Sequence, residues 1–437
     1  MLGGKFLRTV VVPALLVSSS ALILVSHSRT SGASTAAAAS NHGTSRLGVG
    51  VEGSSRKDYV GDAACKACHQ GVESTYEHTA HHLTSRLPNK GSLVGKFAPG
   101  SNTMPTLDPN LHFVMSSGKG GYFETAVFGK PPDEVKQTER IDLVVGSGER
   151  GETYLYWKGD RLFELPVTFW TPLNEWTNSP GYRDGTADFD RPVVPRCLEC
   201  HATYFSAIPS EAPANRYHKA GSVLGISCER CHGPGREHVE LEKAAAQHAQ
   251  KTPGSADAGS GEHRSDAQNG AQDLKIVNPE KLSRDRQIDV CAECHAGLGE
   301  DRAPAFSFVP GQVLSEYLEV QPLEPNAKVD VHGNQVALLE RSRCFRSSTK
   351  ITCNFCHDVH TRERSAASYS DRCLTCHKVE SCGLYPKLGQ ELAKNCIDCH
   401  MPVQDSNLIV SNVGGKEIKM RIRNHWIKVY ADAAGQQ

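Results

Sequence analysis

Seven copies of Cys-x-x-Cys-His, a β-rich interval between the first copy and the second, and an aromatic content of only 7% predict one fold class. It is a haem-packed assembly of mainly short helices and loops, as in a multihaem cytochrome c, with an antiparallel β-subdomain inserted after the first haem. Each copy is the attachment signature of a c-type haem, supplying two thiols for the vinyl groups and one imidazole for the iron. The copies are Cys65/Cys68/His69, Cys197/Cys200/His201, Cys228/Cys231/His232, Cys291/Cys294/His295, Cys353/Cys356/His357, Cys373/Cys376/His377 and Cys396/Cys399/His400. Positions i, i+3 and i+4 share one face of a helical turn and meet the edge and the face of a single macrocycle. Zinc ribbons also use Cys-x-x-Cys pairs, yet zinc does not require His directly after every second Cys. Hydrophobic residues make up 38% of 437, thin for an ordinary side-chain core, so seven covalent haems c, each with its iron, must supply much of the apolar volume.

The elements follow in order. Residues 1–34 carry Lys5 and Arg8, an apolar run from Val10 to Val25, then small residues to Ala39, the order of a secretory signal peptide. The run is short of the ~20 residues of a comfortable membrane span; a retained anchor, giving membrane association, is the alternative. Export places the chain in the periplasm or another extracytoplasmic compartment, where c-type haems are attached and thiols are oxidised. Residues 35–58, rich in Ala, Ser and Gly, read as a flexible leader, and 59–90 as the first haem segment.

Residues 91–195 read as the β-subdomain. LHFVM (111–115), YFETAVF (122–128), RIDLVVG (140–146), ETYLYWK (152–158) and RLFELPVTFW (161–170) are rich in β-branched and aromatic residues and bounded by turn residues. Lys158-Gly159-Asp160 reads as a hairpin turn. Tyr154, Tyr156, Trp157, Phe163, Phe169 and Trp170 are expected in the core or against haem, because such strands bury one face. Residues 196–437 form a six-haem domain. A helix starting near Gly235 leads into 244–273, which is poor in large apolar residues and reads as a disordered surface loop; His248 and His263 in it are expected to be solvated. KMRIRNHWIKVY (419–430) reads as a strand that returns His425 to the haems.

Seven irons need sixth ligands. His81, His112, His218, His238, His332, His360 and His425 are the candidates, with His78 and His82 competing with His81 for the first iron. His238 and His360 follow their own motifs too closely to wrap round the same haem, so each is expected to ligate a neighbour. Met is scarce, with Met104, Met115, Met401 and Met420 in the mature region, so low-potential haems are expected. Cys344 and Cys382 remain after fourteen haem thiols, and in an oxidising compartment they are expected to form a disulfide worth roughly 4 kcal/mol.

The strings GISCERCHGPGREH (225–238), CNFCHDVH (353–360) and NCIDCHMP (395–402) resemble the multihaem cytochromes related to the tetrahaem cytochrome c of ammonia oxidisers. That superfamily also contains pentahaem nitrite reductase and octahaem hydroxylamine oxidoreductase. The resemblance covers 59–81 and 195–430, and it implies that a His shortly after a motif ligates another haem, as His238 and His360 would. The chain departs from nitrite reductase in having no Cys-x-x-Cys-Lys, and no tyrosine crosslink signal of the hydroxylamine enzyme is recognisable.

A formal net charge of −1 provides no basic stripe for nucleic acid. The expected function is electron transfer between extracytoplasmic redox protein partners or from a quinol dehydrogenase, with no catalytic residue assigned. A reductase or dehydrogenase for a small nitrogen or sulfur compound at one open-coordinated haem is the alternative, and a membrane-held quinol dehydrogenase is a third class.

Overall fold

The computed structural model describes residues 56–251, 276–297, 299–320, 329–362 and 365–431. The signal segment, nearly all of the leader, and 252–273 of the expected loop, including His263, lie outside the described residues.

The chain enters through α1 (Asp62–Tyr76) and passes into ten strands: β1 (Ser85–Arg86), β2 (Thr103–Pro105), β3 (Leu111–Gly118), β4 (Gly121–Phe128), β5 (Val135–Ile141), β6 (Leu143–Val145), β7 (Gly151–Lys158), β8 (Arg161–Trp170), β9 (Glu175–Asn178) and β10 (Arg191–Pro192). They form two antiparallel sheets. One has the order β2-β3-β4-β5; the other runs β1-β6-β7-β8-β10, with β9 also paired to β8.

Alternation along the strands decides the packing. Phe113 and Met115 of the first sheet meet Tyr154, Leu165 and Phe169 of the second in one core. Leu143, Leu155 and Leu162 face the other way and pack on Leu198, Phe205, Tyr217 and Phe306. The second sheet is therefore covered on both faces, and its back face seats the second haem motif. RIDLVVG, read as one strand, is two. Ile141 belongs to the first core and Leu143 to the second, and the chain changes sheet at Asp142, whose carboxylate accepts the Trp157 N–H at 2.8 Å. The β7–β8 turn is the expected two-residue one, with Lys158 opposite Arg161 and Gly159 at φ 66°.

Beyond the sheets, α2 (Pro195–Glu199), α3 (Cys228–His232), α4 (Arg236–Lys251), α5 (Arg284–His295), α6 (Gln335–Glu340), α7 (Arg343–Arg346), α8 (Cys353–Cys356), α9 (Ala366–Leu374), α10 (Tyr385–Leu388) and α11 (Ile397–His400) are mostly short. Between them lie two small ladders, β11 (Ala202–Tyr204) with β12 (Val223–Leu224) and β13 (Glu300–Asp301) with β14 (Leu318–Glu319). α4 runs to Lys251, so the first residues of the expected disordered loop, 244–251 with His248, are helical.

The C-terminal strand expected over 419–430 is instead one arm of a hairpin, β15 (Val403–Val413) with β16 (Lys416–Arg423), and residues 424–430 lie beyond it. Asn178 donates to the Asn412 backbone oxygen at 3.0 Å, and Ser411 donates to the Asn178 oxygen at 2.5 Å. The hairpin thereby ties the end of the chain to the β-subdomain. No helix among the described residues is long and apolar enough to cross a membrane.

Candidate haem-binding sites

Each motif is carried on, or at the end of, a short helix. α1 holds the first, with the backbone leaving helical geometry at His69 (φ −110°, ψ 34°), and α3 is the third motif itself, Cys228–His232. The fourth closes α5, whose start is fixed by Ser283 accepting the Arg286 N–H at 3.4 Å. Such turns present two sulfurs and an imidazole together. Each donor set is two thiols and one imidazole, short of the four ligands of structural zinc. Among the described residues no three His, Cys, Asp or Glu side chains converge as an ion site.

The thiols show which motifs adjoin. Cys65 lies beside Cys228, Cys200 beside Cys294, and Cys291 beside Cys353. Cys231 also acts on Cys291, while Cys373 lies within reach of Cys356 and Cys396. Motifs one, three, four, five, six and seven follow one another in space, and motif two joins at motif four.

The imidazoles are arranged in pairs. His232 and His360, His357 and His425, and His81 and His295 each have ring centroids 6.2 Å apart, with interplanar angles of 14°, 26° and 77°. A metal–imidazole bond of about 2 Å, with about 1.1 Å from nitrogen to ring centre, puts two imidazoles on opposite sides of one metal at ~6 Å. Each of the three pairs could hold one metal between its two imidazoles.

Nδ1 is engaged in three of these rings and in two further motif imidazoles. His232 meets the Val277 oxygen at 2.8 Å, His400 the Lys428 oxygen at 3.0 Å, His425 the Arg423 oxygen at 3.1 Å, His201 the Thr84 hydroxyl at 3.1 Å and His295 the Gln335 side chain at 3.4 Å. A ring held through Nδ1 is left with Nε2 for a metal. Burial also lowers the affinity of His201 and His425 for a proton, to pKa about 4 in each, with His332 adding to the effect on His201 and His357 to that on His425. Both are therefore kept neutral, the form that a metal can bind.

The polypeptide alone leaves attachment residues uncovered at motifs one, two, five and six, where Cys68 and His69, Cys197, His357, and Cys376 and His377 are exposed. At motifs one and six the reason is local. Cys65 is half-buried against Cys228, but three residues on, Cys68 stands about 60° round α1 and ~4.5 Å further along it, past that contact. α9 ends at Leu374, so Cys376 and His377 occupy a turn beyond the helix, with both N–H groups on the Cys373 oxygen at 3.1 and 3.0 Å. The Cys376 sulfur meets the Thr375 hydroxyl at 3.7 Å. Among the described residues no imidazole is stacked on His377 as His425 is on His357, so the place of His377 as an iron ligand rests on motif spacing alone. An exposed thiol still reaches the edge of a macrocycle, and motifs one and six are accordingly surface sites.

His81 is the main correction to the sequence reading of distal ligands: it faces His295 of the fourth motif, not His69. Its carbonyl accepts the Ile226 N–H at 3.0 Å, and this is possible because residue 225 is glycine. Gly225 sits at φ +69°, and a Cβ there would stand 2.2 Å from the His82 carbonyl oxygen. His82 turns to Asp62, 3.3 Å away, and His78 is exposed beside Glu77 at 3.6 Å.

His332 lies close enough to His201 to act on it, and His238 is half-buried in the first turn of α4. Two candidates are placed elsewhere. His112 is on the face of β3 opposite Leu111, Phe113 and Met115, so alternation turns it away from the core that the two sheets share. His218 is exposed, with its N–H on Ser206. Cys344 and Cys382 are both free thiols; Cys344 acts on Cys356 and Cys373, and Cys382 on Cys399, so the expected bridge is absent.

The residues between the cysteines are functional positions that the motif search passed over. Glu229 accepts the Val60, Gly61 and Gly235 N–H groups at 2.9, 2.8 and 2.9 Å. Arg230 of the third motif donates to Glu293 of the fourth at 2.5 Å and to the Glu199 backbone oxygen of the second at 3.1 Å. Burial pushes the Glu293 carboxyl up to about 8 against the pull of Arg230. Five motifs carry charges at their x positions, Lys66, Glu199, Glu229, Arg230, Glu293 and Asp398, and the structure buries those of motifs two, three and four.

Residues 177–233, which include the second and third motifs, match the protein family described as cytochrome c554 and c-prime. The outer cell wall cytochrome OcwA, a solved structure, is similar in fold. Its TM-score is 0.51, with 17% identity over 87% of this chain and 81% of that one. The likeness is one of fold. No curated protein matches the chain. The matched family implies covalently attached haem c, and the paired thiols with their adjacent imidazoles fit that group.

Proposed function

We propose that the chain holds seven covalent haems c and transfers electrons between extracytoplasmic redox partners. Bound haem supplies one-electron chemistry, and the protein's part is to hold, space and insulate it. The observation that carries this reading is the unbroken succession of motif thiols, one to three to four to five to six to seven with two at four, combined with imidazole pairs at 6.2 Å. We assign His360 as distal ligand to the third motif, His81 to the fourth, His425 to the fifth and His332 to the second, with His238 the candidate for the first. Each of these reaches across to a motif other than its sequence neighbour, so ligation itself would lock neighbouring haem segments together. The exposure of Cys68 and His69, and of Cys376 and His377, would put haem edges at the surface, where electrons enter and leave. The name of OcwA, an outer cell wall cytochrome, and the signal-like N-terminus both support a site of action outside the cytoplasm.

Intact-mass measurement of the exported protein tests the reading. Seven covalent haems and a mature N-terminus between Ser28 and Ala39 are expected; fewer haems with bound zinc would overturn it. Rapid reduction by a small donor, followed by full reoxidation by a protein acceptor without turnover of nitrite or hydroxylamine, is expected of a carrier.

A further inference from the structure

Three haem motifs meet at one buried guanidinium. Arg230 lies between the two cysteines of motif three, and its side chain is 5% exposed. It bonds Glu293, from between the cysteines of motif four, and its Nη2 stands 3.7 Å from Glu199, from between those of motif two. Arg196, just before motif two, closes the cluster by donating to Glu199 at 2.5 Å and to the Glu293 backbone oxygen at 2.9 Å. The Nε atoms of Arg230 and Arg196 are buried without an acceptor. The Arg230 guanidinium carbon also stands 5.5 Å from the centre of the Phe306 ring. The Glu293 side chain is likewise only 4% exposed, so solvent screens this pair little.

Arginine keeps its charge at any working pH. This one acts on sulfurs of all three motifs, Cys200, Cys231 and Cys294, whereas Arg196 acts on Cys200 and Cys294. A fixed cation in a dry interior favours whichever neighbouring redox state carries less positive charge. Reduction removes one positive charge from an iron.

We propose that Arg230, with Arg196 at its flank, is a shared electrostatic positioning element that raises the reduction potentials of the haems attached at motifs two, three and four together. These are the sites where the side branch joins the main succession, so the cluster would hold electrons at the branch point. The proposal rests on the haem reading above.

Spectroelectrochemical titration of the full holoprotein tests it, with haem counted by intact mass in every sample. Arg230→Gln is expected to lower the midpoints of three one-electron steps, each by about tenfold in its reduction equilibrium, about 59 mV. Arg230→Lys, which keeps the charge, is expected to leave them near wild type. Arg196→Gln, at a less buried position, should lower two steps and decides the matter if Arg230→Gln does not yield holoprotein. Unchanged titration curves in fully loaded Gln variants would overturn the proposal, as would equal shifts in the Lys and Gln variants, which would mark packing rather than charge. Missing haem in the wild-type protein would count against the haem reading instead.

Discussion

Glu229 accepts the Gly61 N–H at 2.8 Å across 168 residues of sequence, and so joins the third motif to the entrance of the helix that bears the first. Its other oxygen holds Val60 and Gly235, and the side chain is 2% exposed. Three backbone donors would be orphaned by its loss, each a bond to a charged acceptor. Glu229→Ala is therefore expected to destabilise the protein by about 2–4 kcal/mol, with Glu229→Gln recovering part because one amide oxygen remains. Denaturant unfolding of the holoproteins measures both; an Ala variant within about 0.5 kcal/mol of wild type would contradict this account.

The 6.2 Å imidazole pairs make a spectroscopic prediction. Oxidised protein should show low-spin bis-His signals from the haems of motifs three, four and five. His425→Ala should convert one of them, at His357, to a high-spin centre that binds cyanide, while all seven haems stay attached because the thiols are untouched. Magnetic circular dichroism counts the high-spin iron even where coupling hides resonance signals. An unchanged count in the Ala variant would show that His425 does not ligate.

Much of this was legible in the sequence because its signals are local. Motif spacing reflects one helical turn, and strand alternation reflects one buried face, so both survive without knowledge of the fold. The β3–β4 and β7–β8 pairs fall where the pattern puts them. What was not legible depends on contacts distant in sequence. His81 was set against its own motif because it lies near it in the chain, yet the close approach of Gly225 to His82 carries it to the fourth motif. Motif spacing is equally blind to long-range partners: His377 and His357 are both exposed and read alike, but among the described residues only His357 has a distant imidazole, His425, stacked against it. The break at Asp142 leaves no trace in hydrophobicity, since Ile141 and Leu143 are both buried, but in different cores. β15 was missed because its register shifts between Asp405 and Val410, which blurs the period of two.

The two thiols outside the motifs give a chemical test. Cys344 stands by Cys356 and Cys373, and Cys382 by Cys399, and the two are not joined. Alkylation of denatured, non-reduced holoprotein should label both, since the fourteen motif thiols are held in thioether bonds under the haem reading. A disulfide-linked peptide containing Cys344 and Cys382 would refute this.

The last prediction concerns pH and Glu164, on β8, which pairs with Leu155 of β7 and Arg191 of β10. Burial raises its carboxyl to about 7, against the pull of Arg191, whose Nε lies 3.3 Å away. A carboxyl whose folded pKa lies above its unfolded value binds its proton more tightly when folded. Its contribution therefore favours the fold at low pH, and stability is lost as pH rises from the unfolded value near 4.5 through about 7, after which the loss is constant. A shift of this size corresponds to about 3 kcal/mol at most, and about 1–3 kcal/mol is expected with part of the side chain in contact with water. Glu164→Gln removes this titration but keeps the shape. The difference in unfolding free energy between variant and wild type should thus move in the variant's favour between pH 5 and pH 8. The comparison isolates Glu164, because every other titrating group is common to both proteins. A difference that is flat across that window would show that the Arg191 pair already holds the carboxylate charged.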